Sequence, residues 1–313
     1  VRTCLAELVG EPNPTALVAV SGGSDSLALL AAACFVGPRL GVRVGAVTVD
    51  HGLQPGSAAR ARAVATHAVE SGADPVSAWH VTVDAPGGPE AAARHARYEA
   101  LRAAAAAARA QVVLLAHSRD DQAETVLLGL ARGSGARSLS GMPARSGPFR
   151  RPLLGLPRAT LTAAADLAGG LAPWDDPHNS DPRYLRARVR HQVLPVLEQQ
   201  LGPGVAAALA RTAALLDADA TALDEWALRE AQRTVRGSQI DARALAALPR
   251  AVRTRVLRRT ALQAGAPASD LTAGHVAALD DLVTTVAGRS VHLPGSVRAE
   301  RRSGVVRLTR PSP

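Results

Sequence analysis

The sequence predicts an α/β fold: a Rossmann-like parallel sheet with helices on its faces, followed by a smaller, mainly helical C-terminal domain that ends in a β-hairpin. Three observations carry this. Over the first 135 residues, short β-branched runs alternate with Ala-rich helical stretches. A Gly-containing turn, Ser21-Gly22-Gly23, follows the first of those runs directly and opens an apolar helix. Beyond Pro182 the apolar spacing is helical until residues begin to alternate between Ser290 and Leu308. At 313 residues and 47% hydrophobic, the chain is large enough for one large or two ordinary domains with a buried core.

Element by element, strands are expected at Ala16 to Val20, Val44 to Val49, Ala78 to Val83 and Val112 to Ala116. Helices are expected between them, at Ser24 to Phe35, Ser57 to Ser71, Glu90 to Arg109 and Asp120 to Leu130. Gly133 to Pro182 is rich in Gly and Pro and reads as a joining loop, apart from a helix around Ala159 to Leu167. Helices follow at Arg186 to Gln199, Gly204 to Thr234, Ala242 to Ala264 and Ala268 to Val286, and the final hairpin turns near Arg301 to Gly304. No internal repeat is found.

Composition narrows the chemistry. All 36 basic residues are Arg, because the chain contains no Lys. A Walker A P-loop, a pyridoxal or Schiff-base lysine and a protein kinase are thereby excluded. Cys4 and Cys34 form no CxxC pair and suggest neither a disulfide framework nor a metal cluster. No run approaches the roughly 20 apolar residues of a membrane span, and Val1 to Gly10 carries Glu7 and no signal-type apolar region, so a cytoplasmic protein is expected. The net charge of +9 is uneven: 16 Arg meet 16 acids through Asp181, whereas 20 Arg meet 11 acids from Pro182 onward. A neutral catalytic part joined to a part that meets a polyanion fits that asymmetry, as do solvated helical faces.

Ser21, Gly22, Gly23, Ser24, Asp25 and Ser26 lie between a strand and a helix start, where backbone N–H groups and the helix dipole make an anion site. The serines add hydroxyl donors. Asp25 cannot bind phosphate directly and is read as orienting the loop or helping to hold Mg2+. A Gly-Gly-Ser turn also starts helices with no ligand. The whole string SGGSDS is more specific and resembles the PP-loop of the ATP pyrophosphatase superfamily, which cleaves ATP between its α and β phosphates. That resemblance implies an adenosine site beside Asp50 and His51, in the string VDHGL that ends at Leu53.

The fourth strand leads into His117, Ser118, Arg119, Asp120, Asp121, Gln122, Ala123, Glu124 and Thr125. At about 100° per residue, Asp120, Asp121 and Glu124 share one helix face, and carboxylates beside an ATP site suit Mg2+ or an amine. The same acids also favour a first helical turn without any ligand. HSRDDQAET, continuing through Leu130, Ala131, Arg132, Gly133, Ser134 and Gly135, resembles the signature of the tRNA(Ile)-lysidine synthase family. Two further stretches agree: Glu90, Arg94, Arg97, Tyr98 and Leu101, and the run from Asp176 to His191. Within that run His178 stands where a small hydroxyl residue is expected.

The resemblance implies ATP-dependent adenylation of the wobble cytidine of a CAU-anticodon tRNA(Ile), then displacement of AMP by L-lysine, with ATP and Mg2+ required and no membrane involved. It implies that Asp121 and Glu124 contact lysine while Asp120 assists metal or loop placement, so that Asp25, Asp120 and Asp121 are the catalytic candidates. Arg186 and Arg190 share a helix side and Arg188 points nearly opposite. One side is expected to meet RNA phosphates and the other to reach the active site: Arg188 is assigned to the lysine site, and Arg94, Arg97, Arg183, Arg186 and Arg190 to the tRNA, while helix-end charges on a solvated face are the alternative. The expected domains are a catalytic domain at 1–182, a linker helix at 183–202 and a tRNA-binding domain at 203–313. Oligomeric state is left open, a homodimer included. The rivals are a thiolase-like PP-loop tRNA-modifying enzyme, for which the cysteine spacing is wrong, and a non-catalytic RNA-binding relative.

Overall fold

A computed structural model describes residues 1–52, 54, 56–82, 89–133, 135–174, 176, 180–285 and 289–310. The chain divides into two compact units, Val1–Asp217 and Ala218–Pro313. Leu53, Val83, Ser134, His178 and Val286, all named above, lie outside the described residues, as do Pro177 and Asn179 of the run from Asp176 to His191 and the side chain of Glu90.

The first unit is built on a six-stranded sheet of order β3-β2-β1-β4-β6-β5. Its strands are β1 (Thr15–Ala19), β2 (Arg43–Asp50), β3 (Val76–His80), β4 (Val112–Leu114), β5 (Arg145–Ser146) and β6 (Phe149–Arg150). All neighbouring pairs are parallel except β5 against β6. The two-residue period of a strand sends alternate side chains to opposite faces. Ala16, Val18, Val112 and Leu114 accordingly join α2 (Ser24–Val36), α3 (Ser57–Glu70) and α7 (Arg158–Ala168) in one core. Leu17, Val47, Val113 and Phe149 pack with Leu101, Ala104 and Ala105 of α4 (Pro89–Ala107) in the other. A strand buried on both faces reads as the near-continuous apolar run that the sequence shows.

Two remaining helices of the sheet layer are α5 (Arg119–Ala131) and the short α6 (Gly135–Leu139), after a first helix α1 (Arg2–Ala6). The stretch expected to be a joining loop supplies β5 and β6 and is part of the sheet. Strands of two residues are too short to show a period. Their position is held by Gln122 of α5, whose buried amide donates to the Met142 carbonyl (3.0 Å) and accepts from the Met142 N–H (2.7 Å). Gly141 precedes it at φ +67°, and a Cβ there would meet Gln122 Oε1 at 2.6 Å.

The expected helix from Arg186 to Gln199 is α8 (Leu185–Arg188), a π-helical turn at Val189–Val193 and α9 (Leu194–Leu201). Pro195 has no N–H to return to the carbonyl of His191, and a local widening of the helix accommodates that gap. Val189 and Leu194 pack on Ala123 of α5. The next helix, α10 (Val205–Thr234), contains the boundary between the two units.

The second unit contains α11 (Ala242–Ala246), α12 (Arg250–Gln263) and α13 (Ala273–Thr284). The single helix expected from Ala242 to Ala264 is broken ahead of Pro249, and α13 starts later than expected because Thr272 caps it, accepting from the His275 N–H. The terminal hairpin is present as β10 (Val297–Arg302) and β11 (Val305–Thr309), with Ser303 at φ +46° and Gly304 at φ +81° in its two-residue turn. It belongs to a larger antiparallel sheet of order β7-β8-β11-β10-β9, with β7 (Val235–Arg236), β8 (Gln239–Asp241) and β9 (Ser290–Leu293). Ile240, Ala299, Val306 and Leu308 turn one face of that sheet onto the helices. Among the described residues, no helix is long and apolar enough to cross a membrane.

Gln122→Leu should lower stability by about 2 to 4 kcal/mol, because it strands a buried N–H and a buried carbonyl at Met142. A thermal melt indistinguishable from the parent would show that the Gln122 clamp does not hold this region.

Candidate active site

The loop after β1 is ordered by Ser26. Its hydroxyl accepts from the N–H groups of Ser21 (3.2 Å) and Gly22 (3.2 Å) and donates to the Gly23 carbonyl (2.8 Å). Ser26 therefore shapes the loop, its proton committed to Gly23. Gly22 sits at φ +88°, where a Cβ would meet Val64 Cγ2 at 2.9 Å. α2 begins at Ser24 with Gly23 as its N-cap and no side-chain cap, leaving the start of the helix to an anion.

Beside the loop lies a cavity of about 180 Å3 at the carboxyl end of β2, lined by Ser21, Asp50, His51, Arg60, Trp174 and Asp176 among others. Asp50 accepts from the Gly52 N–H (2.9 Å) and faces His80 Nδ1 at 3.6 Å. Burial pushes its carboxyl up, but Gly52, Ser57 and His80 outweigh burial and hold it below its ordinary value. Segment 172–174 covers the loop: the Trp174 N–H donates to the Gly22 carbonyl (2.8 Å), and Arg60 donates to the carbonyls of Gly22 (3.0 Å) and Ala172 (3.1 Å). The Arg60 guanidinium lies 5.7 Å over the Trp174 ring. A larger cavity, about 460 Å3, is lined by Asn13, Arg43, Arg109 and Gln111 at the opposite ends of the strands, remote from these motifs.

The acidic face of α5 meets arginines from two other segments. Asp121 completes a capping box, its Oδ2 accepting from the N–H (2.8 Å) and hydroxyl (2.9 Å) of Ser118. Its Oδ1 accepts from Arg158 (2.8 Å) and Arg190 (3.0 Å). Glu124, whose side chain has no solvent exposure, accepts from Arg186 Nε (2.8 Å), Arg190 Nε (2.7 Å) and Arg158 Nη2 (3.3 Å). Asp120 accepts from the backbone N–H of Arg158 (2.8 Å), docking the start of α7 on α5. Burial raises the Asp121 carboxyl, and Arg158, Arg186 and the Ser118 N–H more than reverse this and lower it.

Arg158 also reaches toward the phosphate loop, with Nε 3.7 Å from Asp25 Oδ2. The buried Oδ1 of Asp25 has no partner among the described residues. Burial, with Asp121 next, raises this carboxyl to about 6 against the pull of Arg158 and Arg190. His117 is half-buried, and its Nδ1, closed to solvent, has no partner among the described residues. Burial, then Arg97, holds its pKa down at about 3, so the ring is neutral. Burial and the same Arg97 also lower His51.

Two expectations about the arginines are corrected. Arg186 and Arg190, expected to turn to RNA, face Asp121 and Glu124. Arg188, expected to reach that site, points away and donates to the carbonyls of Pro182 (2.7 Å) and Arg183 (3.2 Å). The cause is packing: Ala187 and Val189 bury the neighbouring positions and turn the 186/190 side onto α5. Arg183 is 83% exposed and pairs with Asp181. Arg94 lies 4.9 Å over the Tyr98 ring, one turn away as expected, and donates to its hydroxyl (3.2 Å). Arg158, Arg60 and Trp174 were missed by sequence reasoning. The only signal for Arg158 was its place at the start of a helix in a Pro-rich stretch.

A parallel sheet with this loop at its first strand defines a PP-loop nucleotide-binding protein, and the family model described as a PP-loop domain matches residues 2–197. A second model, described as the TilS substrate binding domain, matches residues 241–304. The tRNA(Ile)-lysidine synthase of Thermobifida fusca is 60% identical over 292 residues, spanning 93% of this chain and 90% of that protein. Its counterpart in Streptomyces coelicolor is 57% identical over 297 residues, covering 93% and 84%. The chain belongs to the tRNA(Ile)-lysidine synthase family. A solved structure of a U34-tRNA thiolase from Methanococcus maripaludis shares the fold, with TM-score 0.55, 18% identity and coverage of 69% of this chain and 78% of that one.

Asp25→Asn tests the unpartnered carboxyl. Because the folded-state pKa is raised to about 6, the folded protein binds the extra proton and loses stability as pH rises from about 4, the ordinary Asp range, to 6. The neutral His117 works in the other direction, its contribution being lost as pH falls below its ordinary range. The difference between parent and variant isolates Asp25: Asp25→Asn should gain in stability relative to the parent across pH 4 to 6 and keep that gain above it. Parallel Tm-versus-pH curves would contradict the raised pKa.

Proposed function

We propose that the chain joins L-lysine to C2 of the wobble cytidine of a CAU-anticodon tRNA(Ile), consuming ATP and forming AMP and pyrophosphate, so that the codon AUA is read as isoleucine. The observation that carries the reading is the junction of two sites: the carboxylates of Asp121 and Glu124 lie one guanidinium away from Asp25 of the phosphate loop. An amine subsite beside a triphosphate subsite suits an AMP-forming carbon–nitrogen ligase.

Cytidine O2 attacks the α-phosphorus of ATP and pyrophosphate leaves; the lysine ε-nitrogen then attacks C2, AMP leaves with O2, and the attacking nitrogen loses a proton. The backbone N–H groups of Gly23 and Ser24, at the start of α2, hold the triphosphate, and Asp50 and His51 border the adenosine. The hard, unpartnered Asp25 Oδ1 suits Mg2+, which would neutralise phosphate charge. Among the described residues no group of three His, Cys, Asp or Glu side chains could hold a metal. Asp25 would share the ion with the ATP phosphates, as Mg2+ is commonly held by one or two carboxylates together with substrate phosphates. Asp121 and Glu124 receive the lysine ammonium, with Arg186 and Arg190 fixing their orientation, and Asp120 holds α7 in place. We assign Arg97 and the neutral His117 to the meeting place of base and amine. The exposed Arg94, Arg183 and Arg188, with the Arg-rich residues 203–313, are assigned to the tRNA of the cytoplasm.

Sustained pyrophosphate release should require ATP, L-lysine and CAU-anticodon tRNA(Ile) together. Release that continues without lysine or without the tRNA would refute the assignment. Glu124→Gln should raise the KM for lysine by about tenfold or more, while one turnover of tRNA adenylation survives.

A further inference from the structure

Every oxygen of the proposed lysine subsite is already in use. Asp121 Oδ2 is committed to Ser118, and its Oδ1 to Arg158 and Arg190. Glu124 Oε1 accepts from Arg190 and Arg158, and its Oε2 from Arg186 and Arg190. An ammonium carries three N–H donors and needs oxygens to accept them. None is open to it here, and Glu124 is closed to solvent. One guanidinium must withdraw before lysine can dock.

The three arginines are not equally free to do so. Arg186 and Arg190 donate to Glu124 through Nε, near the root of the guanidinium, and stand on a segment whose Val189 and Leu194 are packed against α5. Arg158 holds both carboxylates through a single terminal nitrogen, Nη2. Its backbone is pinned by Asp120, so the side chain can swing without moving α7. Its Nε already faces Asp25 in the first turn of α2, the helix whose N-terminus forms the phosphate site.

We propose that Arg158 is a positioning residue that closes the lysine subsite in the nucleotide-free protein and opens it when a triphosphate on the Ser21 to Ser26 loop draws its guanidinium away. The inference rests on the reading of Asp121 and Glu124 as the lysine subsite. A guanidinium pairs with phosphate oxygens through two parallel N–H bonds, which its single-nitrogen hold on the carboxylates does not offer. Its departure opens one acceptor position on each of Asp121 Oδ1 and Glu124 Oε1, both of which keep Arg190. Lysine thus binds after ATP, next to the phosphate whose loss as AMP it completes. By linkage, lysine tightens nucleotide binding by the same factor.

Isothermal titration of L-lysine into the full chain, alone and saturated with α,β-methylene-ATP and Mg2+, reads this coupling without turnover. The parent should bind lysine about tenfold more tightly with the nucleotide, within the usual range for coupled sites. Arg158→Gln should bind lysine without nucleotide about as tightly as the loaded parent does, reducing the ratio to about 1. Arg158→Lys, which keeps the charge and loses the fork, should retain part of the ratio, and both variants should melt within a few degrees of the parent. A parent that binds lysine equally with and without nucleotide, or an Arg158→Gln protein with the parent's ratio, overturns the role of Arg158 and leaves the lysine subsite standing. Absence of lysine binding to the loaded parent, or unchanged binding in Glu124→Gln, removes the subsite itself and the role of Arg158 with it.

Discussion

The carboxylate of Glu124, held out of water and answered by three guanidiniums, is the constraint around which the active site is arranged. A buried charge left unpaired costs several kcal/mol, so the segments that carry its partners must meet α5 for the fold to be stable. α7 brings Arg158, and the turn at Val189–Val193 with α8 brings Arg190 and Arg186. Asp120 adds a backbone bond to the first of these contacts and the packing of Val189 and Leu194 on Ala123 secures the second. The parallel sheet supplies the other half, since β1 and β4 are neighbours and both end beside the phosphate loop.

Much of this was legible in the sequence, for identifiable reasons. β1, β2 and β4 are buried on both faces and read as apolar runs, and SGGSDS marks its own position between strand and helix. The terminal hairpin was readable because β10 and β11 alternate and Ser303-Gly304 turns them. Its partners β7 and β8 were hidden because two or three residues carry no measurable period. Spacing gave the shared side of Arg186 and Arg190 correctly, but could not say what that side faces. The decision belongs to Ala187 and Val189, whose burial depends on residues more than sixty positions away. Ser26 reads as a phosphate donor until its bond to Gly23 is seen, and Arg158 becomes visible only when the sheet brings α7 beside α5.

The absence of lysine from the chain has a consequence at this site. Every cation facing the carboxylates is a guanidinium, planar, permanently charged and unable to release a proton at physiological pH. A lysine arriving as substrate is the one group there that can become a neutral amine. In the proposed reaction the carboxylates therefore hold protein arginines and a substrate amine in turn without the two being chemically confused. Burial, then Arg97, keeps the His117 ring uncharged, so it adds no positive charge beside Asp121.

The most direct measurement is a crystal structure of the chain with α,β-methylene-ATP, Mg2+ and L-lysine bound together. The account predicts the lysine ammonium within hydrogen-bond distance of Asp121 Oδ1 and Glu124 Oε1, Arg186 and Arg190 still on Glu124, and the Arg158 guanidinium turned to the triphosphate. Lysine bound elsewhere, with all three arginines where they stand in the free protein, would contradict it.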